Sequence, residues 1–198
     1  MKYLLLIVLT GLASITYAQG PTYRNSVLVT IDYMTLDAPD DTGLRYSLRL
    51  GRHFFNDRLV VAGSAGYLQA SQNRQAQTTF PLGTDQRKRL TADLTLLFDL
   101  VKASHQALRI GGGPSAWYRR DDLLRSFSTT RLPDGTLAAA TVEREEVAAV
   151  TIGYHLTGEY EYLITPQVSL NGRIGWANLA GKISSMAGVG LGYRFGIK

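Results

Sequence analysis

In the stretch "YHLTGEY", residues 154–160, His155, Thr157 and Glu159 stand two apart. A base, a hydroxyl and an acid are the groups that nucleophilic catalysis combines. In an extended strand this spacing stacks all three in one column on one face. Side chains in such a column run parallel instead of converging on a substrate, and a threonine occupies the place of the expected serine. The expectation is a histidine hydrogen-bonded to its neighbours, with no catalytic residue and no enzymatic activity. The glycine-rich "RIGGGPSA" at 109–116 has neither the lysine of a phosphate-binding loop nor a helix after it, and reads as a bent strand. A cysteine count of 0 removes disulfides and thiolate metal sites. Neither a metal nor a cofactor is expected.

The elements that carry these residues repeat with period two. Apolar residues gather on one parity in eight segments: 27–33, 44–50, 59–67, 90–100, 108–118, 150–162, 168–176 and 189–197. No 3.6-residue periodicity is sustained beside them. With 20 Gly, 11 Tyr and only 19% charged residues among 198, the composition favours strands and turns in a single domain. The opposite parity carries Asp32, Arg45, Arg49, Asp93, Asp99, Arg109, Arg119, His155, Glu159, Glu161, Arg173 and Arg194. Its cations and anions are close to balance, and buried charges have to be paired. This face is therefore expected to form one network of salt bridges and hydrogen bonds filling the interior.

Alternation of this kind fits two opposite proteins: a soluble barrel with its apolar face inward, or a membrane barrel with that face toward lipid. The aromatic positions separate them. Tyr33, Tyr46, Tyr67, Tyr118 and Trp176 fall near one end of their segments, and Phe54, Phe98, Tyr160, Tyr162, Tyr193 and Phe195 near the other. Two such girdles are what rings at the two membrane interfaces produce. Connection lengths agree. On one side they are tight, around 56–57, 102–105 and 165–166. On the other they are longer, at 37–41, 69–89 and 120–146, with a short return near 178–181. The expected fold is all-β: an eight-stranded antiparallel up-and-down transmembrane β-barrel. Its last strand must pair with its first, because an unpaired strand edge cannot be left in hydrocarbon. Gly188, Gly190 and Gly192 then lie on the crowded lumen side.

Met1-Lys2, the apolar run Leu4 to Leu12 and the small residues at Thr16 and Ala18 read as a cleaved export signal over 1–18, leaving the barrel domain over 19–198. The closing "GVGLGYRFGIK" carries a G-x-x-aromatic-x-aromatic pattern at Gly190, Tyr193 and Phe195. With "GRHFFNDRLVV" at 51–61, it resembles the small OmpA/OmpX-type outer-membrane β-barrel family over almost the whole mature length, barrel domain only. The resemblance implies the outer membrane of a Gram-negative-type cell. It also implies an assembly signal at those three residues, read by the outer-membrane assembly machinery, and contact with outer-membrane lipid and lipopolysaccharide.

Arg87, Lys88 and Arg89, with Arg74 nearby, read as a basic cluster suited to lipopolysaccharide phosphates. "RSFSTTRL", then Pro133-Asp134-Gly135, then "TLAAATVER" reads as two strand-like runs around a turn. These are expected to continue strands five and six outward as a hairpin, whose edge takes a strand from an extracellular protein. The expected role is structural or surface-interacting, in adhesion or docking. The alternatives are a lipid A-modifying enzyme and a narrow pore. A formal charge of +5 does not point to nucleic acid, because the cations are spread over lumen and loops without an aromatic-basic groove.

Overall fold

The computed structural model describes residues 23–36, 42–73, 84–131 and 137–197. The export signal expected over 1–18, the segment 37–41, Arg74 and the turn Pro133-Asp134-Gly135 lie outside the described residues. Eight strands follow one another: β1 (Tyr23–Thr35), β2 (Thr42–Phe54), β3 (Leu59–Asn73), β4 (Thr84–Lys102), β5 (Gln106–Arg131), β6 (Leu137–Leu163), β7 (Val168–Leu179) and β8 (Lys182–Ile197). Each pairs antiparallel with the next, and β8 pairs with β1 from Tyr23↔Ile197 to Met34↔Met186, closing the barrel in chain order. The expected architecture is the one found.

The two parities go to opposite sides of the wall. Ile152 is 72% and Trp176 55% exposed on the outside, whereas Asp32 is 0% and Arg45 2% exposed inside. Between the two aromatic levels, Arg52, one step from Phe54, is the one outward position among the described residues that carries a charge. Such a band is at rest only against hydrocarbon, and β1 and β2 with 13 residues and β7 with 12 exceed the roughly 9–11 that a tilted spanning strand needs. One girdle runs through neighbouring pairs Tyr46↔Tyr67, Tyr67↔Leu90 and Leu90↔Tyr118. At the other, Tyr193 and Phe195 stack with centroids 6.5 Å apart. Arg52, the one outward cation of β2, lies with its guanidinium 5.6 Å from the Phe54 ring centroid, at the level where a cation reaches headgroups.

The two ends of the barrel differ. At the turn end, residues 55–58, 103–105 and 164–167 make short connections. The first holds Phe55, Asn56 and Asp57 at φ of 51°, 57° and 67°, a left-handed run that Asn and Asp tolerate and Phe does not favour. At the hairpin end, β5 and β6 reach 26 and 27 residues, so that roughly fifteen residues of each extend past the bilayer. They stay paired from Gln106↔Tyr162 to Arg131↔Leu137. Of the stretch 69–89, expected as a loop, the described residues 69–73 and 84–89 are strand, with Asn73 paired to Thr84. Its polar composition reports water around the ladder and is no obstacle to pairing beyond the membrane.

The alternating glycines of β8 have a packing cause. Gly188 lies between Arg173 of β7 and Asp32 of β1, Gly190 between Asn171 and Thr30, and Gly192 between Ser169 and Leu28. A Cβ at 188 would run into the Asp32 carboxylate, and one at 192 into the Ser169 hydroxyl. Each glycine thus vacates a seat on the inner wall that a neighbour's side chain fills. Gly188→Ala is expected to cost about 1–3 kcal/mol, the usual range for overpacking, measured by urea unfolding in detergent micelles. A cost below a few tenths would show that the seat is not filled.

Candidate functional site

Asp32 is the centre of the lumen. Arg45 Nε donates to its Oδ2 at 3.0 Å, and Arg173 Nε donates to its Oδ1 at 2.6 Å while a second Arg173 nitrogen binds Oδ2. The Arg173 side chain reaches β1 from β7 by crossing β8 at Gly188, so the glycine pattern and the ion pair are one device. Arg45 also donates to Asp93 Oδ2 at 3.2 Å. Two inward positions along β2 toward the turn end, Arg49 forms a two-pronged pair with Glu159, its Nη2 donating to Oε2 at 2.8 Å. Both members are almost fully buried.

His155 sits beside this cluster. Ser115 Oγ donates to Asp93 Oδ1 at 2.7 Å, and a carboxylate only accepts. Ser115 Oγ then accepts from His155 Nδ1–H across 2.9 Å, which leaves His155 Nε2 to accept from Thr95 Oγ1 at 2.9 Å. Both ring nitrogens are used. Thr157 turns its hydroxyl to the Ile174 carbonyl at 3.2 Å, and Glu159 belongs to Arg49. The column of His155, Thr157 and Glu159 therefore has three separate sets of partners.

A second ionic layer lies nearer the turn end. Arg109 donates to Asp99 Oδ1 at 2.5 Å and meets Glu161 Oε2 at 2.6 Å, and Arg194 Nε donates to Glu161 Oε1 at 3.2 Å. Arg194 also lies 3.5 Å from Asp57 Oδ2. Asp57 faces His53 Nδ1 at 3.4 Å, and His53 Nε2 lies 2.9 Å from Ser26 Oγ. The left-handed turn is what folds Asp57 back into the lumen. A turn Asp is ordinarily exposed, so periodicity gave no sign of it. The spacing of His53 and Asp57 across "HFFND" was the only available signal.

The structure thus brings Arg45, Asp93, His155 and Arg173 together in one cluster, sets Arg49 and Glu159 beside it, and joins Asp99, Arg109, Glu161 and Arg194 in the other. Among the described residues, no group of three His, Asp or Glu side chains is placed to hold a metal ion. An inward apolar layer was not foreseen: Met34, Leu36, Leu68, Ala70, Trp117, Ala177, Leu179 and Met186 form one buried cluster. It caps the ionic layers toward the hairpin end, with Arg45 Nη2 lying 3.4 Å from Met186 Sδ. These residues share the polar parity, which hid them among hydrophilic neighbours.

The expected basic cluster is corrected. Arg89 points inward, is 3% exposed and pairs with Asp121, Nη2 donating to Oδ2 at 3.2 Å. Arg87 shares that inward parity and is half-buried, whereas Lys88 is outward and exposed. Consecutive cations in a strand alternate faces, so a run of three cannot form one patch. Of the closing-strand residues, Gly190 lies on the inner wall, and Tyr193 and Phe195 lie on the outer.

No family model and no curated protein matches the sequence. Among solved structures, Ail, the attachment invasion locus protein of Yersinia pestis, in complex with the heparin analogue sucrose octasulfate, is similar with a TM-score of 0.52 at 13% identity, over 87% of this chain and 97% of that one. Neisserial surface protein A gives 0.52 at 13% identity, over 88% and 97%. The outer membrane protein OprG of Pseudomonas aeruginosa gives 0.51 at 12% identity, over 89% and 98%. What is shared at such identities is the architecture: the chain has the fold of the small eight-stranded outer-membrane β-barrels.

Proposed function

We propose that the protein resides in the outer membrane of a Gram-negative-type cell and acts at the cell surface by docking another protein, with no catalytic step. The fold and the apolar outward belt support the location. In this orientation the short turns face the periplasm and the hairpin faces outward, the asymmetry of transmembrane barrels. Tyr193 and Phe195 are then presented outward on the closing strand, where the assembly machinery reads them. The filled lumen argues against a pore: the ionic layers are paired and the Trp117 layer lies across them. His155, with both nitrogens occupied beneath that layer, argues against an enzyme.

The observation that carries the docking role is the β5–β6 hairpin. Pairing to β7 begins at Gly153↔Leu179, so among the described residues the edge of β6 from 137 to 152 has no strand beside it. On its other side β5 keeps β4 only as far as Asp122↔Gln86, and the Asp85 carboxylate accepts from Leu124 N at 2.9 Å just past that point. The open edge is a template for an added strand, with main-chain bonds giving affinity and alternate side chains giving selectivity. The similar structure of Ail, the attachment invasion locus protein of Yersinia pestis, holds a heparin analogue, which agrees with a surface role for this architecture.

Cells displaying the chain are expected to adhere to at least one of a panel of immobilised extracellular-matrix glycoproteins. Deleting 126–140 should cut that adhesion at least roughly tenfold, the loss of a strand's worth of contacts, while heat-modifiable gel migration still reports a folded barrel. Adhesion unchanged by the deletion, or no adhesion by the parent to any member, refutes the docking role.

A further inference from the structure

At the turn end of the bore, side chains from β1, β2 and the turn after β2 stand in the order hydroxyl, imidazole, carboxylate. Ser26 Oγ lies 2.9 Å from His53 Nε2, and His53 Nδ1 faces Asp57 Oδ1 at 3.4 Å. This is the order of groups that activates a serine nucleophile on unrelated folds. A carboxylate beside Nδ1 keeps the proton on that nitrogen, which leaves Nε2 to accept from the Ser26 hydroxyl. His155 differs in kind, because hydroxyls and not a carboxylate take both of its nitrogens.

Three further features serve the same order. The first is strain. Phe55, Asn56 and Asp57 all hold left-handed φ, and Phe55 is 73% exposed, so the turn gains no packing from its aromatic ring. What it achieves is to return Asp57 to a histidine four residues earlier, and strain of this kind collects at functional sites. The second is room. Gly51 stands opposite Ser26, and a Cβ there would come 2.7 Å from Ser26 Oγ, so the glycine leaves the hydroxyl space to turn. The third is charge. Arg194 stands opposite Ser26 on β8 and lies 3.5 Å from Asp57 Oδ2, which sets a guanidinium where negative charge develops on an attacked carbonyl oxygen. Ser26 is partly exposed, whereas His53 and Asp57 are buried. A substrate therefore reaches the nucleophile from the water at this mouth, and the base behind it is shielded.

We infer that Ser26, His53 and Asp57 form a hydrolytic site for esters of short carboxylic acids. The acyl group is short because the ionic layer of Asp99, Arg109, Glu161 and Arg194 fills the bore just above. Ser26 Oγ attacks the ester carbonyl while His53 Nε2 takes the hydroxyl proton. The alkoxide leaves with that proton, so an alcohol departs and an acyl-serine remains. Water then attacks the acyl carbon, gives its proton to His53, and releases the carboxylic acid as Ser26 Oγ takes the proton back. Docking at the hairpin involves no catalytic step. This chemistry adds one at the opposite mouth and shares no residue with the hairpin, so each reading stands or falls alone.

The test is covalent labelling of the full barrel in detergent by a fluorophosphonate, in which Ser26 Oγ displaces fluoride from phosphorus, mapped by mass spectrometry. The parent is expected to carry one label on Ser26 and to hydrolyse p-nitrophenyl acetate. His53→Ala should slow both reactions at least roughly a hundredfold, the lower end of what a positioned general base contributes, and Ser26→Ala should abolish them. Asp57 acts through His53 as a positioning residue. Asp57→Asn should slow labelling and also move its rise with pH to lower pH, since the imidazolium loses its carboxylate; a slower rate with an unmoved profile refutes that role. Ser104→Ala is the control: its hydroxyl lies 2.9 Å from His105 Nδ1 in an exposed pair, and labelling should be unchanged. Heat-modifiable migration establishes that each variant is folded. A folded parent that takes no label on Ser26, or labelling that persists at the parent rate in His53→Ala, overturns the site.

Discussion

Asp32→Ala lowers the unfolding free energy by about 3–5 kcal/mol, the cost of breaking a buried ion pair from one side. The carboxylate is the shared acceptor of Arg45 and Arg173, all three residues being nearly inaccessible. Removing it leaves two guanidiniums in a wall of low polarizability, one of which also loses its reason to cross β8 at Gly188. Urea titration of the barrel in lipid vesicles, followed by tryptophan emission and gel migration, measures the loss. A decrease under about 1 kcal/mol would place the pair in the class of solvated surface contacts and defeat the description of the lumen as a paired interior. Arg144→Ala is the control, since its contact with Asp122 at 2.7 Å is partly exposed, and it is expected to stay within about 1 kcal/mol. Replacing Asp32, Arg45 and Arg173 together by Leu, Met and Met should recover much of the stability, because a whole buried ionic set exchanged for apolar residues is often neutral.

Leu94→Arg destabilises the inserted barrel by about 2–4 kcal/mol, and Leu90→Arg by about 0–1 kcal/mol, because the penalty for an outward cation depends on depth. Leu94 is 53% exposed midway between the Tyr118 and Phe98 levels, and Leu90 is 55% exposed at the upper girdle. In water the two sites are equivalent by exposure, so a soluble barrel would show no difference between them. Folding of urea-denatured chain into phospholipid vesicles gives both values. Equal penalties would mean that the apolar band does not face acyl chains.

Period-two alternation was enough to read the eight strands and which residues share a face, since a one-residue slip would send a whole hydrophobic set to the wrong face. The aromatic levels and connection lengths turned the apolar face to lipid, and the cost of an open edge in hydrocarbon required β8 to pair with β1. The same parity put Arg45, Arg49, Arg109, Arg173 and Arg194 in the lumen without naming their partners. Partners inside a narrow bore are chosen across strands: Arg173 joins Asp32 only because Gly188 is empty between them. Trp117 and Leu68 escaped notice because the bore is not uniformly wet, and its hairpin end is closed by apolar packing. Arg89 was misread because a run of basic letters looks like a patch when it is an alternation. Asp57 depended on three left-handed residues in succession, which side-chain periodicity does not encode.

Closure between β1 and β8 has a consequence for the timing of synthesis. The seam joins the first strand made to the last, so no fragment released early can complete its hydrogen bonding, and contacts separated by most of the chain must form before any stable state exists. Until then the greasy outward stripes of all eight segments are without a solvent that suits them, and unpaired edges invite aggregation. A chain stopped before β8 is therefore left with an unpaired edge on β7 and on β1, and with an apolar stripe that no closed wall supports.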